Sequence, residues 1–206
     1  MSTTDRRATS AQPLHDLIAE RWSPRAFDGR TVTKEQLRAL FEAARWAPSC
    51  FNDQPWTYVV GVKGASDDGG AWQKVHDALV PANQAWAHRA PVLAIAVARL
   101  GFVFNGNPNR HALYDTGAAS MSLTYQAQAM GLVVHQMGGF DVDAARTAFG
   151  IEDTHDPIAA LAIGYAAPAD VLDGDMRERE LAPRERRAVN ETFFGGTFGT
   201  AHPAAN

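Results

Sequence analysis

The sequence predicts one globular domain in which helices and buried strands are interspersed. Three observations lead there. The apolar pattern switches several times between helical stripes and short continuous runs bounded by turn residues. The 206 residues suffice for one sizeable core and are few for two full domains. With 46% hydrophobic and 20% charged residues, the composition is that of a packed protein and not of a disordered chain.

The first element in the chain is a polar stretch, residues 1–12, that lacks the apolar core of a secretory signal and is expected to be a flexible N-terminus preceding the domain at 13–206. A helix is expected from Pro13 to Glu20, with proline at the first helical position and Leu14, Leu17 and Ile18 on one face. A second helix over 34–46 carries Leu37, Leu40, Phe41 and Ala44 on one stripe, and Thr33 with Gln36 fits a capping box at its start. After the loop Ala47–Trp56 come a buried strand at 57–62, a Gly- and Asp-rich loop at 63–70, a helical stretch from Ala71 to Val80, and a short helix from Asn83 to His88. The apolar run around Ala90 to Ala98 is too short to span a bilayer and reads as a central strand over Val92–Ala98.

Residues 99–110 contain Gly101, Gly106 and Pro108 and read as an irregular excursion carrying Phe102 and Phe104. A long helix, His111–Met130, stops at Gly131 and forms the central core helix. A strand at 132–136, a Gly138-Gly139 turn, a helix at 142–149 capped by Asp141 and stopped by Gly150, and a strand at 158–164 follow. Beyond Tyr165 the pattern weakens, and residues 166–206 end in the apolar, Gly-rich Phe193–Phe198 segment. Such a tail is expected to be an arm laid over a partner subunit.

The bulk numbers also exclude classes of function. A formal charge of −4 without a dominant basic run argues against nucleic-acid binding. The single cysteine, Cys50, rules out an internal disulfide and any multi-cysteine metal centre within one chain, and fits a reducing cytoplasm. There is no His-Glu-x-x-His, no Gly-x-Ser-x-Gly, no Gly-x-x-x-x-Gly-Lys and no Gly-x-Gly-x-x-Gly after a strand. The seven histidines are scattered without metal-ligand spacing and suit surface or satisfied core roles.

Two features carry chemistry. Pro48-Ser49-Cys50-Phe51-Asn52-Asp53-Gln54-Pro55-Trp56 lies between a helix and a strand, so it is held at both ends. Its prolines fix the backbone, and Ser49, Asn52 and Gln54 bring hydroxyl and amide groups able to read a flat, heteroatom-rich ring; the same residues also suit a plain polar turn. Cys50 reads more readily as a small packing residue than as a nucleophile, because no spacing-linked His or Asp accompanies it. The second feature is a pair of arginine alternations, Arg21-x-Ser23-x-Arg25 and Arg184-Glu185-Arg186. In extended backbone each set points to one side, as an anion clamp or as a solvated pair. Both sets together with a ring-reading loop favour the clamp.

Taken in order, these motifs resemble the FMN-dependent nitroreductase family, from Arg21 to about Arg187. The resemblance implies an α+β fold with a mixed, mostly antiparallel central sheet flanked by helices, and a C-terminal arm, about 166–206, exchanged in a homodimer. It implies that Arg21, Ser23 and Arg25 contact the phosphate, ribityl chain and ring edge of FMN, and that Arg184 and Arg186 join them on the phosphate. Pro48, Ser49, Cys50, Asn52 and Gln54 are similar to the family segment that lines the flavin from the other subunit. Asn83 matches a ring-contacting asparagine, Gln136, Met137, Gly138 and Gly139 the segment along one flavin face, and Gly164-Tyr165 the end of the last core strand.

Where many members carry Glu, this chain has Gly138, and where many have Ser it has Cys50. The implied reaction is a ping-pong hydride transfer from NADH or NADPH, through the flavin, to an electron-poor small molecule such as a nitroaromatic, quinone or activated carbonyl or alkene. Phe102, Phe104 and Tyr114 are the expected lining of the substrate side. Flavin-dependent dehydrogenation, oxygen-using flavin chemistry and a non-catalytic flavin-binding dimer remain open alternatives. Neither nucleic acid nor membrane is an expected partner.

Overall fold

The computed structural model describes residues 6–205. Four strands, β1 (Trp56–Val62), β2 (Val92–Arg99), β3 (Val133–Met137) and β4 (His155–Gly164), form one sheet in the order β1-β2-β4-β3. Every pairing in it is antiparallel, which settles the expected mixed, mostly antiparallel sheet as a wholly antiparallel one among the described residues.

Side chains alternate across each strand, and both faces are covered. On one face Leu93, Ile95, Val97 and Ala162 pack with Trp72, Val75 and Leu79 of the α3 region (Ala71–Ala78) and with Trp86 of α4 (Pro81–Ala87). On the other, Val92, Ala94, Leu161 and Ile163 meet Leu37, Leu40 and Ala44 of α2 (Lys34–Arg45) and Ala119, Leu123 and Ala127 of α5 (Ala112–Ala129). Burial on both faces explains why β2 reads as a continuous apolar run instead of an alternating one. Alanine at 94, 96 and 98 keeps that central strand thin enough for helices to approach from both sides.

Thr33 and Gln36 form the reciprocal capping box expected from their spacing. Other boundaries move for identifiable reasons. The first helix, α1, is only Asp16–Ala19; His15 Nδ1 accepts the Leu17 N–H, so the chain caps two residues after Pro13. The helical stretch expected to reach Val80 stops at Ala78, because Leu79 and Val80 are extended. Proline disfavours helical backbone at the residue before it, and Pro81 then opens α4 two residues earlier than expected.

Strand β4 begins at His155 instead of 158 and accommodates Pro157 beside a register shift between Ala96 and Val97, where a missing N–H is tolerated. Helix α6 (Val142–Phe149) is capped by Asp141 and ended by Gly150.

In the C-terminal region lies a helix with no counterpart in the sequence reading, α7 (Gly174–Leu181). Its one buried residue is Glu180, so no apolar stripe marks it. Residues 26–28 pair with 165–167 in extended fashion, which brings the Arg21–Arg25 segment alongside the end of β4. Of the terminus expected to be flexible, residues 1–5 lie outside the described residues, while Ala8 donates to the Ala19 carbonyl at 2.7 Å and Arg7 pairs with Asp16 at 2.6 Å. No helix among the described residues is long and apolar enough to cross a membrane.

Candidate functional site

The loop after α2 is strained. Cys50–Asn52 make one 3-10 turn in which Phe51 and Asn52 have φ of 55° and 54°, and Gln54 follows at 49°. Left-handed backbone is uncommon outside glycine and persists only where the surroundings over-determine it. Here they do. Asp115, buried near the start of α5, accepts the Cys50 N–H at 3.0 Å; Ser49 Oγ accepts the Gln54 N–H at 3.0 Å; and Gln54 Nε2 donates to the Asn52 carbonyl at 3.1 Å. Pro48, Asn52 and Gln54 are exposed, whereas Ser49 and Cys50 are half-buried. The loop therefore displays its amides from a fixed backbone.

Between the strained positions sits Asp53, its carboxylate 1% exposed. Its oxygens accept from Arg99 at 2.6 Å, from the Val103 N–H at 2.9 Å and from Asn109 Nδ2 at 3.4 Å. Burial pushes this carboxyl up, but the Val103 N–H and Arg99 outweigh it and hold it below the ordinary carboxylate range. Phe51 meets Phe102 and Phe104 edge-on at centroid distances of 5.9 and 5.7 Å. Tyr114, adjacent to Asp115, is 80% exposed at the same end of α5.

The arginines gather elsewhere. Arg21 donates to Ser23 Oγ at 3.4 Å, and burial together with the Arg186 charge lowers the Arg21 pKa. Burial also lowers that of Arg184, with added repulsion from Arg21, Arg186 and Arg6. Arg184 Nη1 donates to the carbonyls of Arg6 and Ala19, at 2.6 and 2.9 Å, so this side chain also ties the terminal segment to α1. Arg186 bonds the Glu185 carbonyl at 2.7 Å. Beside them a cavity of about 340 Å³ is lined by Ala8, Thr9, Arg184, Glu185 and Arg186.

The segment carrying Arg21 is pinned on two sides. Glu180, 3% exposed, accepts the backbone N–H groups of Arg25 and Ala26 at 3.0 and 3.1 Å. His135 Nδ1 lies 2.9 Å from the Pro24 carbonyl; a carbonyl can only accept, so Nδ1 carries the proton. Burial lowers this imidazole to about 4.

Of the remaining expected contacts, the side chains of Asn83, Gln136 and Met137 turn inward. Asn83 Nδ2 donates to the Gly139 carbonyl at 2.9 Å, Gln136 Nε2 to Thr124 Oγ1 at 3.1 Å, and Met137 is buried in the core. A Cβ on Gly139 would come within 2.7 Å of Asn83 Nδ2, so any larger residue there must displace the Asn83 amide that bonds this backbone. Gly138 faces open space.

One chain thus assembles two groups rather than one. Tyr125 lies near Arg21, and Asp115 holds Cys50, so the arginine cluster and the strained loop lie near α5 positions ten residues apart, roughly 15 Å along the helix. Sequence reasoning missed Arg6, Asp53, Asp115, His135 and Glu180. No local signal marks them, because each acts on backbone or on a residue remote in sequence. Among the described residues, no group of three or more His, Cys, Asp or Glu could hold a metal ion.

Residues 18–165 match the Nitroreductase family. The chain belongs to that family. A solved oxidoreductase containing FMN is 35% identical, with a TM-score of 0.86 over 96% of this chain and 98% of that one. Its likeness therefore reaches beyond the family match into the C-terminal region. A 15.4 kDa protein of Mycolicibacterium smegmatis is 32% identical over 145 residues, 69% of this chain and 97% of its own length. Nitroreductase NfnB of the same species is 42% identical over 73 residues, which span 35% of this chain and 29% of that protein.

Proposed function

We propose that this nitroreductase-family chain is an FMN-dependent oxidoreductase, working as a homodimer, that takes electrons from NADH or NADPH and reduces an electron-poor small molecule such as a nitroaromatic, quinone or activated carbonyl or alkene. The observation that carries this reading is the convergence of Arg21, Arg184 and Arg186, joined by Arg6, without a carboxylate in ion-pair range of the first three among the described residues. Arg21 and Arg184, partly buried beside like charges that lower their pKa further, call for an anion, and a phosphate dianion meets that need through paired charge-assisted hydrogen bonds. Arg6 Nε, buried without a hydrogen-bond partner among the described residues, adds an unsatisfied donor to the cluster. The similar oxidoreductase containing FMN supports the choice of flavin.

In this reading Arg21, Ser23, Arg184 and Arg186 hold the phosphate and ribityl end, and Arg25 brings positive charge toward the ring edge. Ser49, Asn52 and Gln54 present hydroxyl and amide groups to the ring, with Pro48 and Cys50 shaping the wall. The segment from Gln136 to Gly139, braced by Asn83, supplies backbone along one face. When bound, FMN provides the hydride acceptance and release that no side chain of this chain can perform. The protein's part is to fix the ring, leave one face open and exclude water.

The separation of arginines and strained loop along α5 supports a site shared between two copies. So do the exposed apolar side chains of Phe41 on α2 and Trp46 just after it, Leu113 and Tyr114 on α5, and Phe193 and Phe198 in the C-terminal region. The test is direct. Purified protein should bind FMN, turn yellow and bleach anaerobically when NADH or NADPH is added; a colourless protein that takes up no FMN overturns the reading.

A further inference from the structure

We propose that Asp53 is a positioning residue that locks the strained amide loop and the aromatic loop into one rigid unit, and thereby sets how a planar electron acceptor is held. The inference rests on the flavin-reductase reading and deepens it. Asp53 has ordinary helical backbone, φ −73°, between Asn52 and Gln54, whose φ values are 54° and 49°. Its carboxylate takes one bond from Arg99, at the end of β2, one from Val103 and one from Asn109. Arg99 closes the clasp from the other side, donating to the Asp53 carbonyl and to the Gly101 carbonyl, each at 2.9 Å.

The clasp joins two segments about fifty residues apart, and each of them carries part of one aromatic cluster. Phe51 precedes Asp53 by two residues; Phe102 and Phe104, whose centroids are 5.2 Å apart, flank Val103, the residue whose N–H Asp53 holds. Phe51 is 78% and Phe104 62% exposed. Exposed rings do not fix their own positions by burial, so the charge-assisted clasp beneath them does. Removing one partner of such a buried pair loosens both loops at once. The expected consequence is weaker positioning of the acceptor, read as a raised KM.

The test compares wild type with Asp53→Asn, which keeps the shape and loses the charge, and with Arg99→Lys, which keeps the charge and loses the fork. Amide hydrogen exchange should accelerate in 49–55 and 100–109 together, while β2 and β4 keep their protection. With FMN bound, the KM for a planar nitroaromatic should rise at least fivefold, with a smaller change in kcat. Faster exchange with an unchanged KM makes Asp53 a structural brace only and overturns the proposal. So does faster exchange confined to one loop. Wild-type protein that takes up no FMN overturns the flavin reading itself and this inference with it, whereas FMN-bound variants with wild-type kinetics overturn the inference alone.

Discussion

Glu180 and Arg25 are joined across 155 residues: both carboxylate oxygens of Glu180 accept the Arg25 backbone N–H at 3.0 Å, and one of them also takes the Ala26 N–H. The bond runs from α7 to the segment that carries Arg21, Ser23 and Arg25. Glu180→Ala leaves two N–H groups without their acceptor and should lower stability by about 1–3 kcal/mol. Glu180→Gln keeps one acceptor oxygen and should lose less. Urea denaturation midpoints of the two variants check the order.

The arginines should separate into two kinds. Arg21→Ala and Arg186→Ala each remove a proposed phosphate contact, weakening FMN retention by about 1–3 kcal/mol. Because these two charges oppose one another, the flavin-free protein should lose little or no stability. Arg184→Ala behaves differently, since it also abandons the carbonyls of Arg6 and Ala19. It should lower both FMN affinity and the Tm of flavin-free protein; equilibrium dialysis and thermal melts of all three variants distinguish the two classes.

His135 predicts a pH dependence. Burial lowers the folded-state pKa to about 4 from 6.5, with Arg25 pushing the same way and the Pro24 carbonyl pulling back. Between those values the unfolded chain binds the proton and the folded chain does not, so stability rises with pH across the window. The contribution is fully present above about 6.5 and is lost as pH falls toward 4, at most about 3 kcal/mol. Denaturation midpoints measured from pH 4 to 7 should show this slope, and His135→Gln should flatten it.

Adjacent glycines should respond oppositely. Gly139→Ala drives a methyl into Asn83 and Val80 and should cost about 1–3 kcal/mol. A Cβ on Gly138 meets nothing within 4 Å among the described residues, so Gly138→Ala should leave Tm nearly unchanged. Thermal melts of the two proteins decide this.

Deleting residues from 188 onward removes no buried side chain among the described residues. The truncated chain should keep its folded core, judged by near-UV circular dichroism, but sediment as a lighter species with less bound FMN if that segment wraps a second copy. An unchanged sedimentation coefficient and full flavin would sink the arm.

What could be read in advance follows from where the physics is local. The capping box at Thr33, the glycine stops at Gly131 and Gly150 and the apolar runs of β2 and β4 are written within a few residues of where they act. The loop from Pro48 to Trp56 and both arginine pairs were visible as motifs for the same reason. Helix α7 was hidden because its buried residue is a carboxylate. Asp53 and Asp115 were hidden because their partners lie 46 and 65 residues away in sequence. Arg184 carried a further role, fastening the N-terminal segment, that no spacing announces.

The left-handed backbone at Phe51, Asn52 and Gln54 sets thermostability against the proposed ring-reading role. Glycine at any of the three would relieve steric cost and, on that ground alone, could raise the melting temperature. It would also free the backbone that aims Asn52 and Gln54 outward. A search for hardier variants would be drawn to these positions, and selection for melting temperature alone would favour changes that blunt the loop.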